Sequence, residues 1–256
     1  MGGGGFSVEP DTPALDDYVL TLSPSDEPRI CLLPTAGGDA DDQIMRFQAV
    51  FGDKRCHPSH VSLFRLGPQP LPLRETILSQ DIVYVGGGSL RNLLAIWRAH
   101  GLDGILREAW TRGIVLCGLS AGSMCWFQAG VTKSAGAPET VAGLGFLPGS
   151  NSVHYDGEPD RRPVYLEAVA SSTIPPGFGV DDGVGLLFAG TKLVEAVSSR
   201  PDARAYFVTP SATGGAVESA LVPRFLGAAD NPDRSVPFDI AEFRLARGAR
   251  RAGEGR

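Results

Sequence analysis

The sequence predicts an α/β protein with a mostly parallel central sheet flanked by helices and antiparallel strands toward the C-terminus. Three observations predict it. Through the first half of the chain, short apolar runs alternate with helical patterns, as in successive βαβ units. One run, Ile114-Val115-Leu116-Cys117, passes through Gly118-Leu119-Ser120-Ala121-Gly122 straight into a helical pattern. Late in the chain, Gly190 and Gly214-Gly215 separate shorter apolar runs, which suits hairpins.

Taken in order, residues 29–33, 60–66, 81–85 and 114–117 read as strands. Between them, residues 41–51 place Ile44, Phe47 and Phe51 on one helical face, and residues 89–100 do the same with Leu90, Leu93, Leu94 and Trp97. A helix is expected over residues 121–128, followed by strands over residues 184–188, 193–197, 205–208 and 216–222. No internal repeat is found. The glycines at positions 2 to 5 and the acidic, proline-containing stretch 11–27 read as a flexible leader over residues 1–28. A single domain over residues 29–245 and a basic tail over 246–256 complete the expected layout.

A chain of 256 residues that is 43% hydrophobic and 20% charged suits one domain with one sizeable core. A net charge of −6 excludes a nucleic-acid or anionic-membrane partner unless basic residues concentrate on one face. Arg244, Arg247, Arg250, Arg251 and Arg256 do cluster, but at the end of the chain, where they read as a solvated tail. Cys31, Cys56, Cys117 and Cys125 lack metal or redox spacing, which fits reduced thiols in the cytoplasm. No apolar run is long enough to span a membrane, and the first residues lack the pattern of a signal peptide. Myristoylation at Gly2 is disfavoured because Phe6 stands where the motif takes Ser or Thr.

The chemistry concentrates at Ser120. A hydroxyl at the top of a buried strand needs a sharp strand-to-helix turn, and Gly118 and Gly122 leave room for the backbone on either side. Such a nucleophile requires a base. His57, His60 and His100 read as structural, whereas His154 lies in the polar stretch Gly149-Ser150-Asn151-Ser152-Val153-His154-Tyr155-Asp156-Gly157. The orienting carboxylate is Asp182 or its neighbour Asp181, with Asp156 and Glu158 close to His154 in sequence; Asp182-Gly183 also reads simply as a turn. Gly86-Gly87-Gly88 lacks the phosphate-binding and dinucleotide fingerprints. The N–H groups of Gly88 and Ala121 are therefore the candidate oxyanion hole. The absence of HExxH or zinc-spaced ligands leaves the expected chemistry without metal or organic cofactor.

Gly86-Gly87-Gly88, Gly118-Leu119-Ser120-Ala121-Gly122-Ser123, Gly145-Phe146-Leu147 and His154-Tyr155-Asp156, in this order, make the chain resemble the peptidase E family of aspartyl dipeptidases, which are serine peptidases related to cyanophycinases. The resemblance spans roughly residues 29–222 and implies a fold like class I glutamine amidotransferases, with serine replacing cysteine at the elbow. It implies a triad of Ser120, His154 and an acid, and favours Asp182 over Asp181 because the family places an acid directly before a glycine. It also implies a small peptide substrate, with preference for N-terminal Asp, for which Arg161 and Arg162 are the candidate carboxylate partners. Where some members carry an aspartate shortly after the elbow helix, this chain reads Val131-Thr132-Lys133-Ser134. A cyanophycinase-like hydrolase, an esterase and a non-catalytic anion-binding protein of the same fold are the alternatives, and self-association into a homo-oligomer is compatible with the sequence. An amidotransferase is disfavoured because Cys117 lies three residues too early.

Overall fold

Residues 1–7, 9, 13–65 and 71–227 are described by a computed structural model, in which the strands form three sheets. The chain runs α1 (Ala14–Thr21), β1 (Arg29–Leu33), α2 (Asp41–Phe51), β2 (His57–His60), α3 (Leu73–Leu78), β3 (Ile82–Val85), α4 (Leu90–Ala99), α5 (Leu102–Thr111) and β4 (Val115–Gly118). It continues through α6 (Ala121–Met124), β5 (Phe127–Thr132), β6 (Glu139–Ala142), β7 (Leu147–Val153), α7 (Arg161–Ala170) and β8 (Gly177–Val180). The last elements are β9 (Val184–Ala189), β10 (Lys192–Ser198), β11 (Ala205–Pro210), β12 (Ala216–Leu221) and β13 (Arg224–Phe225).

The first sheet has the order β2-β1-β3-β4, with every pair parallel. Its central strands are apolar without alternation because helices cover both faces. Leu33, Val83 and Val85 pack with Leu93 and Trp97 on one side, while Ile30, Leu32 and Tyr84 pack with Phe47 and Phe51 on the other. The α4 helix starts where expected, Ser89 capping it by accepting the Asn92 N–H at 3.2 Å. The second sheet has the order β12-β11-β8-β7-β5-β6, parallel through β5, β7 and β8 and antiparallel elsewhere. The third is the β9–β10 hairpin with the short β13 beside it.

Four differences from the sequence reading are informative. The second strand occupies residues 57–60 rather than 60–66: His57-Pro58-Ser59-His60 pairs with β1 as an edge strand, where proline is tolerated, and the chain leaves the sheet at Val61. The elbow helix lasts one turn instead of running to residue 128, because Phe127 to Thr132 are taken up as β5. The parallel strands β5, β7 and β8 had no clear signal, since Gly130, Gly149, Gly177 and Gly179 break their apolar runs. Finally, the leader is not free. Phe6 is fully buried against Phe47 and Tyr84, with ring centroids 5.3 and 5.2 Å away. Burying such a side chain contributes about 2 kcal/mol, enough to anchor a segment whose composition alone reads as disordered. Leu15 and Val19 of α1 are buried as well, so the ordered body begins well before Arg29. The basic tail and its arginines lie outside the described residues.

Candidate active site

Ser120 stands between β4 and α6 with φ 53° and ψ −117°, a conformation that non-glycine residues adopt only under constraint. The constraint is local packing. A Cβ on Gly118 would lie 2.4 Å from the Gly122 carbonyl oxygen, and a Cβ on Gly122 would lie 2.4 Å from that of Val85. Both glycines are therefore required for β4, the bend and the following turn to approach β3 this closely. The Ser120 N–H is itself committed, donating to the Met1 carbonyl at 3.1 Å.

The base and the acid come from the second sheet. Parallel pairing of β7 with β8 sets Val153 opposite Val180, so His154 and the Asp181-Asp182 pair leave the same edge side by side. His154 has φ 53°, and its carbonyl accepts the N–H groups of Gly157 and Glu158, which turns the chain sharply at the end of β7. Its Nε2 lies 2.8 Å from Ser120 Oγ and its Nδ1 lies 2.6 Å from Asp182 Oδ1. The His154 hydrogen bond holds the Asp182 carboxyl below the usual carboxylate range despite partial burial. The Asp182 backbone N–H donates to Asp156 Oδ1 at 2.9 Å. Asp181 faces elsewhere: its carboxylate accepts the Arg204 N–H at 2.9 Å, and burial pushes its pKa up.

The cleft above Ser120 has a volume of about 320 Å³ and is bordered by Gly88, Ser89, Lys133, His154, Glu158 and Arg161. Neither the Gly88 nor the Ala121 N–H donates a hydrogen bond among the described residues, so both candidate oxyanion donors are unspent. The single helical turn of α6 supplies little dipole, so the bare Ala121 N–H at the bend and the Gly88 N–H between β3 and α4 are the candidate donors to a developing negative charge. A larger apolar cavity of about 550 Å³ lies behind β4, lined by Leu116, Phe127, Phe146 and Phe188 among others. The residues lining it include no histidine, and its Ser123 hydroxyl accepts a hydrogen bond from the Met1 amino group at 3.1 Å.

The two adjacent arginines part company. Arg161 is only 4% exposed, donates to the Val153 carbonyl at 3.1 Å and pairs with Glu158 at 3.0 Å, while its buried Nε has no partner among the described residues. Burial lowers its pKa from the ordinary arginine value. Arg162 instead makes a two-pronged ion pair with Glu218 on β12, at 3.0 and 2.8 Å, and lies over the Tyr155 ring. It is not among the residues lining the cleft, which corrects its assignment as a substrate ligand: on α7, consecutive residues point about 100° apart. Lys133 and Glu158 border the cleft without having been singled out as substrate-facing, and Lys133 pairs with Asp160 at 2.9 Å. No group of side chains suited to hold a metal ion occurs among the described residues.

The fold is α/β, with a parallel central sheet flanked by helices, and comparison with known proteins places it in a family. Residues 1–196 match the model of peptidase family S51, and the chain belongs to that family. It is 50% identical over 208 residues to the uncharacterized peptidase YgaJ of Bacillus subtilis (strain 168), covering 81% of this chain and 90% of the relative. A crystal structure of a peptidase from an acI-B1 actinobacterium superposes with a TM-score of 0.64 at 17% identity, covering 87% of this chain and 92% of the other. A candidate peptidase E protein from Listeria monocytogenes EGD-e superposes with a TM-score of 0.53 at 15% identity, covering 72% and 91%. The protein is thus a peptidase on an α/β fold. Among the described residues, no helix is long and apolar enough to cross a membrane.

Proposed function

We propose that the protein is a serine-type peptidase that hydrolyses short peptides, dipeptides with N-terminal Asp among them, through an acyl-enzyme on Ser120. The observation that carries this is the relay in which one imidazole reaches Ser120 Oγ at 2.8 Å and Asp182 at 2.6 Å through its two nitrogens. Asp182 fixes the tautomer with the proton on Nδ1, leaving Nε2 to accept the serine proton as Oγ attacks the scissile carbonyl. The Gly88 and Ala121 N–H groups receive the oxyanion. His154 then passes its proton to the leaving amine, and water, deprotonated by the same nitrogen, releases the acyl group.

Substrate preference follows from the cleft wall. Arg161 borders the cleft as a guanidinium held in place by the Val153 carbonyl and Glu158, which supports recognition of a substrate carboxylate. The four cysteines, all free, support a cytoplasmic setting.

A serine-directed fluorophosphonate, combined with a panel of Asp-X, Glu-X and neutral X-X dipeptides, tests this function. The expected result is labelling at Ser120, loss of labelling in Ser120→Ala, and hydrolysis of Asp-X ahead of the others. An unlabelled, inactive protein would turn the assignment toward a non-catalytic anion-binding role. Equal hydrolysis of all three classes would remove carboxylate recognition while leaving the peptidase.

A further inference from the structure

We propose that Gly3 is a positioning residue for the catalytic acid, acting through Asp182 by having no side chain. This inference rests on the serine-peptidase function proposed above. The segment that composition marks as a flexible leader passes directly behind the triad. A Cβ built on Gly3 lies 2.1 Å from Asp182 Oδ1 and 3.0 Å from His154 Cε1. Oδ1 is the very atom that holds His154 Nδ1 at 2.6 Å.

The strap cannot step back to make room. The Gly2 N–H donates to the Val184 carbonyl at 2.9 Å, the Gly183 N–H donates to the Gly3 carbonyl at 3.1 Å, and the Met1 carbonyl holds the Ser120 N–H. These bonds fasten Gly3 to both flanks of the site, the β8–β9 turn and the nucleophile bend. The β8–β9 turn is equally fixed, because Asp182 accepts on one side from His154 and its N–H is tied to Asp156. A methyl group at position 3 must therefore move the carboxylate. Restoring even a tight contact takes a displacement of about 1 Å, which a hydrogen bond of this length cannot absorb. The bare Gly3 backbone thus sets where the acid stands, and through it which tautomer His154 presents to Ser120.

The test is Gly3→Ala, made singly and with Asp182→Ala. In the single variant kcat should fall at least about 100-fold, toward the loss that follows when a triad acid can no longer hold its histidine, with KM changed less than about threefold. Adding Gly3→Ala to Asp182→Ala should cost less than about threefold more, because the two residues act as one unit. A merely structural glycine would give additive losses. The parent should also show a downfield imidazole N–H proton resonance that Asp182→Ala abolishes and Gly3→Ala shifts or abolishes. This readout needs no substrate, so an inactive parent would sink the peptidase function without touching the claim about Gly3.

A folded Gly3→Ala protein with kcat within about threefold of the parent, or with that resonance unmoved, overturns the proposal. So does a parent spectrum lacking the resonance, which would remove the His154–Asp182 bond itself. If Gly3→Ala does not fold, the double variant decides. Without the carboxylate the 2.1 Å clash disappears and only the tight 3.0 Å approach to His154 Cε1 remains, so recovery of folding supports the proposal and continued failure overturns it.

Discussion

The nucleophile and its two partners are built in contrasting ways. Ser120 depends on contacts of residues 118–124 with one neighbouring strand, and the two glycines that hold its bend lie within two residues of it. His154 and Asp182 are 28 residues apart, and only the parallel register of β7 and β8 brings them together. The first half of the site is a local motif in a four-stranded sheet; the second is a product of topology in a six-stranded one. They meet because β4, β7 and β8 all deliver their C-terminal ends to the same place, the usual position of a site in an open parallel sheet.

That contrast makes its strongest prediction at the aspartate pair. Asp182→Asn should lower kcat by about 10³- to 10⁴-fold, because the amide favours the wrong histidine tautomer. Asp181→Ala should leave kcat within about threefold and lower stability by about 1–3 kcal/mol, since the Arg204 N–H loses its acceptor. Steady-state kinetics alongside chemical denaturation separates the two. A reversal would mean that the register of β7 on β8 does not decide the acid. On the local side, Gly122→Ala should cost about 3 kcal/mol or more and abolish labelling of Ser120, because the new methyl meets backbone that cannot rotate away.

How much of this could be seen in the sequence follows the same division. Residues 41–51 and Ser89 with its helix match the structure because amphipathic periodicity and capping are written locally. The Ser120 bend was legible for the same reason. Asp182 could be separated from Asp181 only by family resemblance, since a turn sequence does not say which carboxylate faces inward. The strands around His154 were missed because glycines interrupt them where backbones touch: a Cβ on Gly177 would lie 2.0 Å from the Ser150 carbonyl oxygen. Glycine read as flexibility was also the error at residues 2 to 5, where glycine serves close approach to the site. Burial of Phe6 was the missed signal, a lone aromatic directly following the glycines.

The adjacent arginines sharpen the comparison further, because sequence proximity made them equal and tertiary packing did not. Arg161→Ala should raise KM for Asp-X dipeptides by about 30- to 100-fold, the loss of a charge-assisted pair in a sheltered cleft, with much less effect on neutral dipeptides. Arg162→Ala should leave the preference unchanged and lower stability by about 1 kcal/mol or less, its partner Glu218 being partly solvated. Equal effects on KM would place both side chains in the cleft.

The link between the N-terminal segment and the first sheet carries a pH signature in stability rather than a change in activity. Asp16 of α1 is fully buried, donates nothing in its ionised form, and accepts the Tyr84 hydroxyl at 3.1 Å. Desolvation raises its pKa from 3.8 to about 7. Between those values the folded protein retains a proton that the unfolded chain has released, so folding stability must decline as pH rises through this window. The ceiling is about 1.4 kcal/mol per pH unit, less whatever solvent reaches the carboxylate. Asp16→Asn keeps an acceptor for Tyr84 and removes the titration. Denaturation at pH 5 and pH 8 should therefore show a smaller drop in the variant than in the parent. An identical drop in both would mean that Asp16 is ionised in the folded state, and that α1 is seated less deeply on β3 than its contact with Tyr84 indicates.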